Sequence, residues 1–185
     1  LLYGSAVHKA IEAYHVSIYE GNRYPKEKLV NIFKSCWDLG IEFSPVPIKW
    51  YRATSYKEMT EAGILSVKNY HEVHKNDPAP PTVFRPDEEN VSVKSPAVEL
   101  YFTIPLIGLI GKSGWCINGV IDLIQNTDKG IVIVDHKTGS SKYSDFKVKT
   151  DLQLAIYSYA FRYLCEIGKF PDFGPDTIEK YVMFD

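Results

Sequence analysis

The sequence predicts an α/β domain with a helical N-terminal portion followed by a mixed central β-sheet flanked by helices. Three observations carry this. Apolar residues recur at helical spacing through residues 4–74. Short β-branched runs follow at 97–106, 115–124 and 130–137. A strongly periodic stretch at 151–167 then precedes a last short run at 177–184, an order that lets the last strand lie parallel to an earlier one through a helical crossover.

The first helix covers residues 4–20. Val7, Ile11, Tyr14 and Ile18 form its apolar stripe, and Ser5 is a candidate N-cap. His8 and Glu12 lie four apart beside that stripe, so His8 reads either as an imidazole bonded to Glu12 or as a metal ligand oriented by a neighbour. The second helix covers 25–39, with Pro25 in its first turn, Leu29, Ile32, Phe33, Cys36 and Trp37 on one face, and Gly40 expected to end it. Residues 43–54, with Pro45 and Pro47, read as irregular. The third helix covers 55–74, and His71 and His74 near its end read as solvated surface among Glu72, Lys75, Asn76 and Asp77.

Residues 77–95 contain Pro78, Pro80, Pro81 and Pro86 and read as a linker loop. On this reading 1–76 is the mainly helical part and 96–185 the sheet core with its crossover helix, both within one domain.

Composition bounds the function. The chain has 185 residues, 45% of them hydrophobic, and a formal net charge of −2. It is large enough for a real core. No apolar run approaches the roughly 20 residues of a membrane span, so no membrane partner is expected. There is no signal peptide, and the absence of an initial Met reads as a fragment of a longer chain. Bulk charge does not advertise nucleic acid, although carboxylates gathered around a metal depress it. Cys36, Cys116 and Cys165 show no CxxC spacing and fit buried thiols in a reducing, intracellular setting.

The chemistry concentrates in the sheet. The first strand carries Glu99, and Gly108, Gly111 and Gly114 turn the chain into the second. Gly111-Lys112-Ser113 is no P-loop, because Leu106 stands where the loop needs glycine and a strand follows instead of a helix. The Asn90-Val91-Ser92 triplet has no secretory context. The second strand carries Asp122 and the third ends on Asp135, with turn formers at 126–130 between them. Lys137 lies two residues past Asp135 and projects to the same face. A carboxylate costs several kcal/mol to desolvate unless paired or bound to a cation. Two of them beside apolar runs, with an ammonium next to them, point to a hard-cation site. The polar loop 138–149 offers Lys142, Lys147 and Lys149 to a phosphate backbone. Asp151 or Thr150 caps the long helix. Its expected buried side is Leu152, Ala155, Ile156, Tyr159, Ala160, Tyr163 and Leu164, with Gln153 and Tyr157 sharing another face.

With these residues in place, the chain resembles a PD-(D/E)XK nuclease of the RecB-like branch, and is similar also to the CRISPR-associated RecB-like nucleases. The matching residues keep the family's order: Gly4-Ser5-Ala6-Val7-His8 with Glu12, then Glu99, Gly119-Val120-Ile121-Asp122, Val134-Asp135-His136-Lys137-Thr138-Gly139, and Gln153-Leu154-Ala155-Ile156-Tyr157. The resemblance implies a restriction-endonuclease-like core. It implies His8, Asp122, Asp135 and the backbone carbonyl of His136 as ligands of Mg²⁺ or Mn²⁺. Lys137 then orients the attacking water, Glu99 is a supporting group or further ligand, and Gln153 and Tyr157 approach the nucleic-acid backbone. Oxygen ligands suit Mg²⁺, and an imidazole widens tolerance toward Mn²⁺. The His136 side chain occupies a variable position.

The implied activity is phosphodiester hydrolysis of DNA, with an exonuclease in recombination, repair or phage DNA processing as the expected role. Single strands or free ends are the expected substrates, and a helicase or recombination protein a candidate partner. The alternative is an inactive nuclease-fold module that binds nucleic acid or a protein. Some members of the branch hold an iron–sulfur cluster through cysteines ahead of the first helix and beyond the last strand. Cys36, Cys116 and Cys165 do not match those positions, so no cluster is expected within this chain.

Overall fold

A computed structural model describes residues 2–50, 54–86, 92–105, 114–138, 144 and 150–185. The chain divides into two compact units, Leu1–Asp77 and Pro78–Asp185.

The first unit is helical: α1 (Leu2–Tyr19), α2 (Lys26–Glu42) and α3 (Tyr56–His74). Its core joins Val7, Ala10, Ile11 and Tyr14 of α1 to Leu29, Phe33 and Trp37 of α2 and Val67 of α3. Gly63 belongs to that packing, since a Cβ there would lie 1.9 Å from Phe33 Cζ. Ser55 caps α3 by accepting from the Glu58 amide. Two expectations are corrected here. Helix α2 runs through Gly40 to Glu42, because a glycine stops a helix by taking a positive φ, and among the described residues the positive-φ glycines are Gly21, Gly130 and Gly168. His71 and His74 are half-buried instead of solvated. The cause is tertiary: the His71 ring packs 5.3 Å from that of Tyr14, and His74 stacks at 4.0 Å on Tyr70 while its Nδ1 pairs with Asp77 Oδ2 at 2.8 Å.

The second unit opens with a hairpin, β1 (Thr82–Pro86) and β2 (Ser92–Pro96), paired antiparallel. This corrects the linker reading of 77–95. Prolines suggested a loop, but Pro86 and Pro96 close the strands, where a missing N–H costs no ladder bond. The hairpin is anchored by buried Val83, by the Phe84 amide donating to the Lys169 carbonyl at 2.8 Å, and by the Ala97 amide donating to Pro81 at 2.9 Å. Asn90 and Val91, with Leu106, Gly108, Gly111, Lys112 and Ser113, lie outside the described residues.

A four-stranded sheet follows in the order β3-β4-β5-β6, from β3 (Val98–Pro105), β4 (Cys116–Thr127), β5 (Gly130–Asp135) and β6 (Tyr181–Phe184). The first three strands are antiparallel, and β6 joins parallel to β5. Between β5 and β6 runs α4 (Leu152–Glu166), capped by the Asp151 carboxylate on the Gln153 amide. The mixed sheet with a helical crossover is thus as expected. The face of α4 is not. It buries Leu154, Tyr157, Ala160, Phe161, Leu164 and Cys165, while Leu152 and Tyr159 are 72% and 47% exposed. Two apolar stripes overlap on this helix, and the sheet selects the one carrying Phe161, which packs with Phe102, Ile121 and Ile133. No described helix is long and apolar enough to cross a membrane.

Helix α4 is also pinned to the segment entering β6. Glu179 accepts from Arg162 Nη2 at 2.8 Å and Nε at 3.1 Å, and from Ser158. Burial raises the Glu179 carboxyl, but the Arg162 and Ser158 bonds outweigh it and hold the group below its usual range. A depressed carboxyl stabilises the fold above its unfolded pKa and loses that contribution as pH falls. Glu179→Gln should therefore cost about 1 kcal/mol at pH 7. The difference from wild type should fade below about pH 4.3, where the unfolded carboxyl protonates. Thermal melts between pH 3 and 7 read both.

Candidate metal centre and active site

Strand register aligns the acidic residues. In the β3–β4 ladder Val98 pairs with Leu123 and Leu100 with Ile121, which sets Glu99 opposite Asp122. In the β4–β5 ladder Leu123 pairs with Val134, so one residue further Asp122 stands opposite Asp135. Three carboxylates from three adjacent strands form one row across the sheet. Residues directly opposite have Cβ atoms about 5 Å apart.

Within the row, a Glu99 and an Asp122 carboxylate oxygen lie within 4.8 Å of each other. Asp122 Oδ2 also accepts the His136 backbone N–H at 2.8 Å. Two oxygens sharing a Mg²⁺ at about 2.1 Å lie up to about 4.2 Å apart, so a small side-chain rotation suffices. The donor set is hard and anionic and fits a divalent cation.

Asp135 is held differently. It is 2% exposed, and its Oδ2 pairs with Lys137 Nζ at 2.5 Å. Its Oδ1 accepts from Gln153 Nε2 at 2.9 Å and from the Tyr157 hydroxyl at 3.4 Å. Lys137 Nζ donates in turn to Gln153 Oε1 at 3.1 Å, and Gln153 Nε2 contacts the Tyr157 hydroxyl at 2.7 Å. Burial pushes the Asp135 carboxyl above its usual range; Lys137 opposes this and the Asp122 charge reinforces it. Burial likewise raises the Tyr157 hydroxyl, with Asp135 and Asp122 adding to the effect, so this phenol stays protonated. Among the described residues, the carboxylates of Glu99, Asp122 and Asp135 outnumber the ammonium paired with them, that of Lys137, an arrangement that favours retaining a cation.

Gly119 also has a physical role. A Cβ at this position would lie 2.5 Å from Phe102 Cζ, so only glycine lets the ring lie against β4 three residues before Asp122. A cleft of about 570 Å³ opens beside Asp122, Gln153 and Tyr157, with Phe102, Ile117 and Ile156 as its apolar wall.

The structure thus gathers Glu99, Asp122, Asp135, Lys137, Gln153 and Tyr157 in the second unit. The His136 ring is buried, its Nδ1 3.4 Å from Asp185 Oδ2, and its backbone N–H serves Asp122. His8 sits half-buried on α1 in the helical unit, where Glu12 pairs with Lys9 Nζ at 2.5 Å. Gly139, Lys142, Lys147 and Lys149 lie outside the described residues. Sequence reasoning missed Arg85, which reaches the β3 backbone at Glu99 and was hidden in a proline-rich stretch.

A mixed sheet that sets a row of carboxylates beside a lysine, under a crossover helix carrying Gln153 and Tyr157, has the form of a divalent-cation hydrolase centre. The family model of the PD-(D/E)XK nuclease superfamily matches residues 2–168, and the chain belongs to that superfamily. Neither the curated proteins nor the solved structures compared give a significant match.

Proposed function

We propose that this chain is a RecB-like, Mg²⁺- or Mn²⁺-dependent deoxyribonuclease that acts as an exonuclease on free ends or single strands in recombination, repair or phage DNA processing. One observation carries most weight: Lys137 is held between Asp135 and Gln153, beside the Glu99–Asp122 pair. Glu99, Asp122, Asp135 and the His136 carbonyl would hold the cation, and His8 joins them as the family resemblance implies. Such a cation lowers the pKa of water and offsets charge on a phosphoryl oxygen.

The chain's own groups do the rest. Lys137 orients the attacking water and balances charge gathering on the phosphorus. Gln153 keeps Lys137 and Asp135 in mutual register through its two amide atoms. Tyr157, kept protonated, donates to Asp135 and approaches the scissile phosphate with Gln153. Lys142, Lys147 and Lys149 are proposed contacts to the backbone of the strand, and a helicase or recombination protein the partner that delivers it.

The test uses labelled linear and covalently closed DNA, single- and double-stranded, with Mn²⁺, Mg²⁺ or EDTA. Metal-dependent loss of linear DNA alone is the expected result. Cutting of closed circles would make the protein an endonuclease. Binding of DNA and Mn²⁺ without cleavage would favour the inactive module.

A further inference from the structure

We infer that Arg85, on β1, is a positioning residue that fixes the backbone kink from which Glu99 reaches toward Asp122. Glu99 is the non-glycine residue with positive φ among the described residues, at 46°. That conformation is in the left-handed region, which an extended strand avoids. The kink is local, since Val98 and Leu100 on either side keep their register with Leu123 and Ile121.

The Arg85 guanidinium fits the kink. Its Nη2 donates to the Pro96 carbonyl at 2.7 Å and the Val98 carbonyl at 2.5 Å, and its Nη1 donates to the Glu99 carbonyl at 3.2 Å. In a regular strand successive carbonyls point to opposite sides. One planar fork can take the carbonyls of both Val98 and Glu99 because the positive φ at Glu99 turns the backbone between them. The charged fork thus gathers carbonyls that the kinked backbone turns to one side, and a planar guanidinium suits that arrangement. The β1–β2 hairpin acquires a purpose beyond packing: it presents Arg85 to the first strand of the site.

This inference rests on the reading of Glu99 as a group that serves the cation, and the experiment separates the two. Mn²⁺ is titrated calorimetrically into wild type, Arg85→Met, Glu99→Gln and the double variant, without DNA, with melting temperatures recorded alongside. Arg85→Met should weaken Mn²⁺ binding by about 10–100-fold. The double variant should bind no more weakly than Glu99→Gln, because Arg85 acts through Glu99. Arg85→Lys should not restore binding, since an ammonium cannot reproduce the fork; it also serves as the second variant if Arg85→Met does not fold. Weak binding by Glu99→Gln with unaltered binding by both Arg85 variants would overturn the inference alone. Additive losses in the double variant would overturn it as well. Unaltered binding by Glu99→Gln would sink the reading of Glu99, and the inference with it.

Discussion

Asp135→Asn is expected to abolish cleavage while leaving the fold intact. Asp135 is the deepest of the three aligned carboxylates, 2% exposed at the end of β5. Its two oxygens meet Lys137, Gln153 and Tyr157, so one substitution removes the charge that orders the whole cluster. An amide keeps the shape but offers one oxygen and no charge to a cation. The expected loss in kcat/KM is at least about 10³-fold, as for removal of a preorganised electrostatic group. The same substitution should not weaken the metal-free protein. Burial raises the Asp135 carboxyl above its usual range. A raised acid contributes stability below its unfolded pKa and loses it as pH rises through the folded one, so at neutral pH ionised Asp135 costs stability. In EDTA, the melting temperature of Asp135→Asn should equal or exceed that of wild type at pH 7, and should vary less between pH 4 and 7. An inactive variant that melts lower at every pH would show that Asp135 holds the fold and leave its chemical role unsupported.

Lys137→Met should lower kcat by about 10²–10³-fold while Mn²⁺ binding is retained or strengthened. The ammonium takes Asp135 Oδ2 at 2.5 Å, so in the metal-free protein it occupies an oxygen that a cation would share. Removing it frees that oxygen. The opposite signs of the two effects separate Lys137 from the carboxylates, whose loss should harm metal binding and rate together. Lys137→Arg is not a conservative replacement: a planar fork needs more width than the slot between Asp135 and Gln153 Oε1, at 3.1 Å from the ammonium. Single-turnover cleavage beside calorimetric Mn²⁺ titration measures both quantities, and parallel loss of rate and Mn²⁺ affinity in Lys137→Met would refute the assignment.

Much of the site was legible because its signals are local. Asp135 and Lys137 share a face through the period of a strand, Gln153 and Tyr157 through the period of a helix, and both pairs are within hydrogen-bond reach of each other in the structure. Glu99 was placed near the site by resemblance, and the ladder supplies the geometry by setting it opposite Asp122. Tyr157 was expected on a face apart from the buried side of its helix and is instead buried, its hydroxyl turned into the cluster.

The misses have a common cause. Pro86 argued for a loop because proline removes a donor, yet only the partner strand shows which amides need one. Gly40 argued for a helix end because glycine permits positive φ, yet it does not require it.

From the sequence alone came the helices, the four strands of the main sheet, their succession and a candidate chemistry, but not the β1–β2 hairpin: the signals are β-branched runs, helical stripes and a carboxylate–lysine motif whose spacing aligns its side chains. Each depends on residues a few positions apart, where backbone geometry alone decides. The tertiary structure decided what depends on residues far apart in the chain. It set the registers that bring Glu99, Asp122 and Asp135 into one row, chose which stripe of α4 faces the sheet, and delivered Arg85 from a hairpin to the backbone of β3. Those outcomes follow from which pairings bury the most apolar surface while leaving few buried polar groups without a partner, a comparison that only the assembled chain can make.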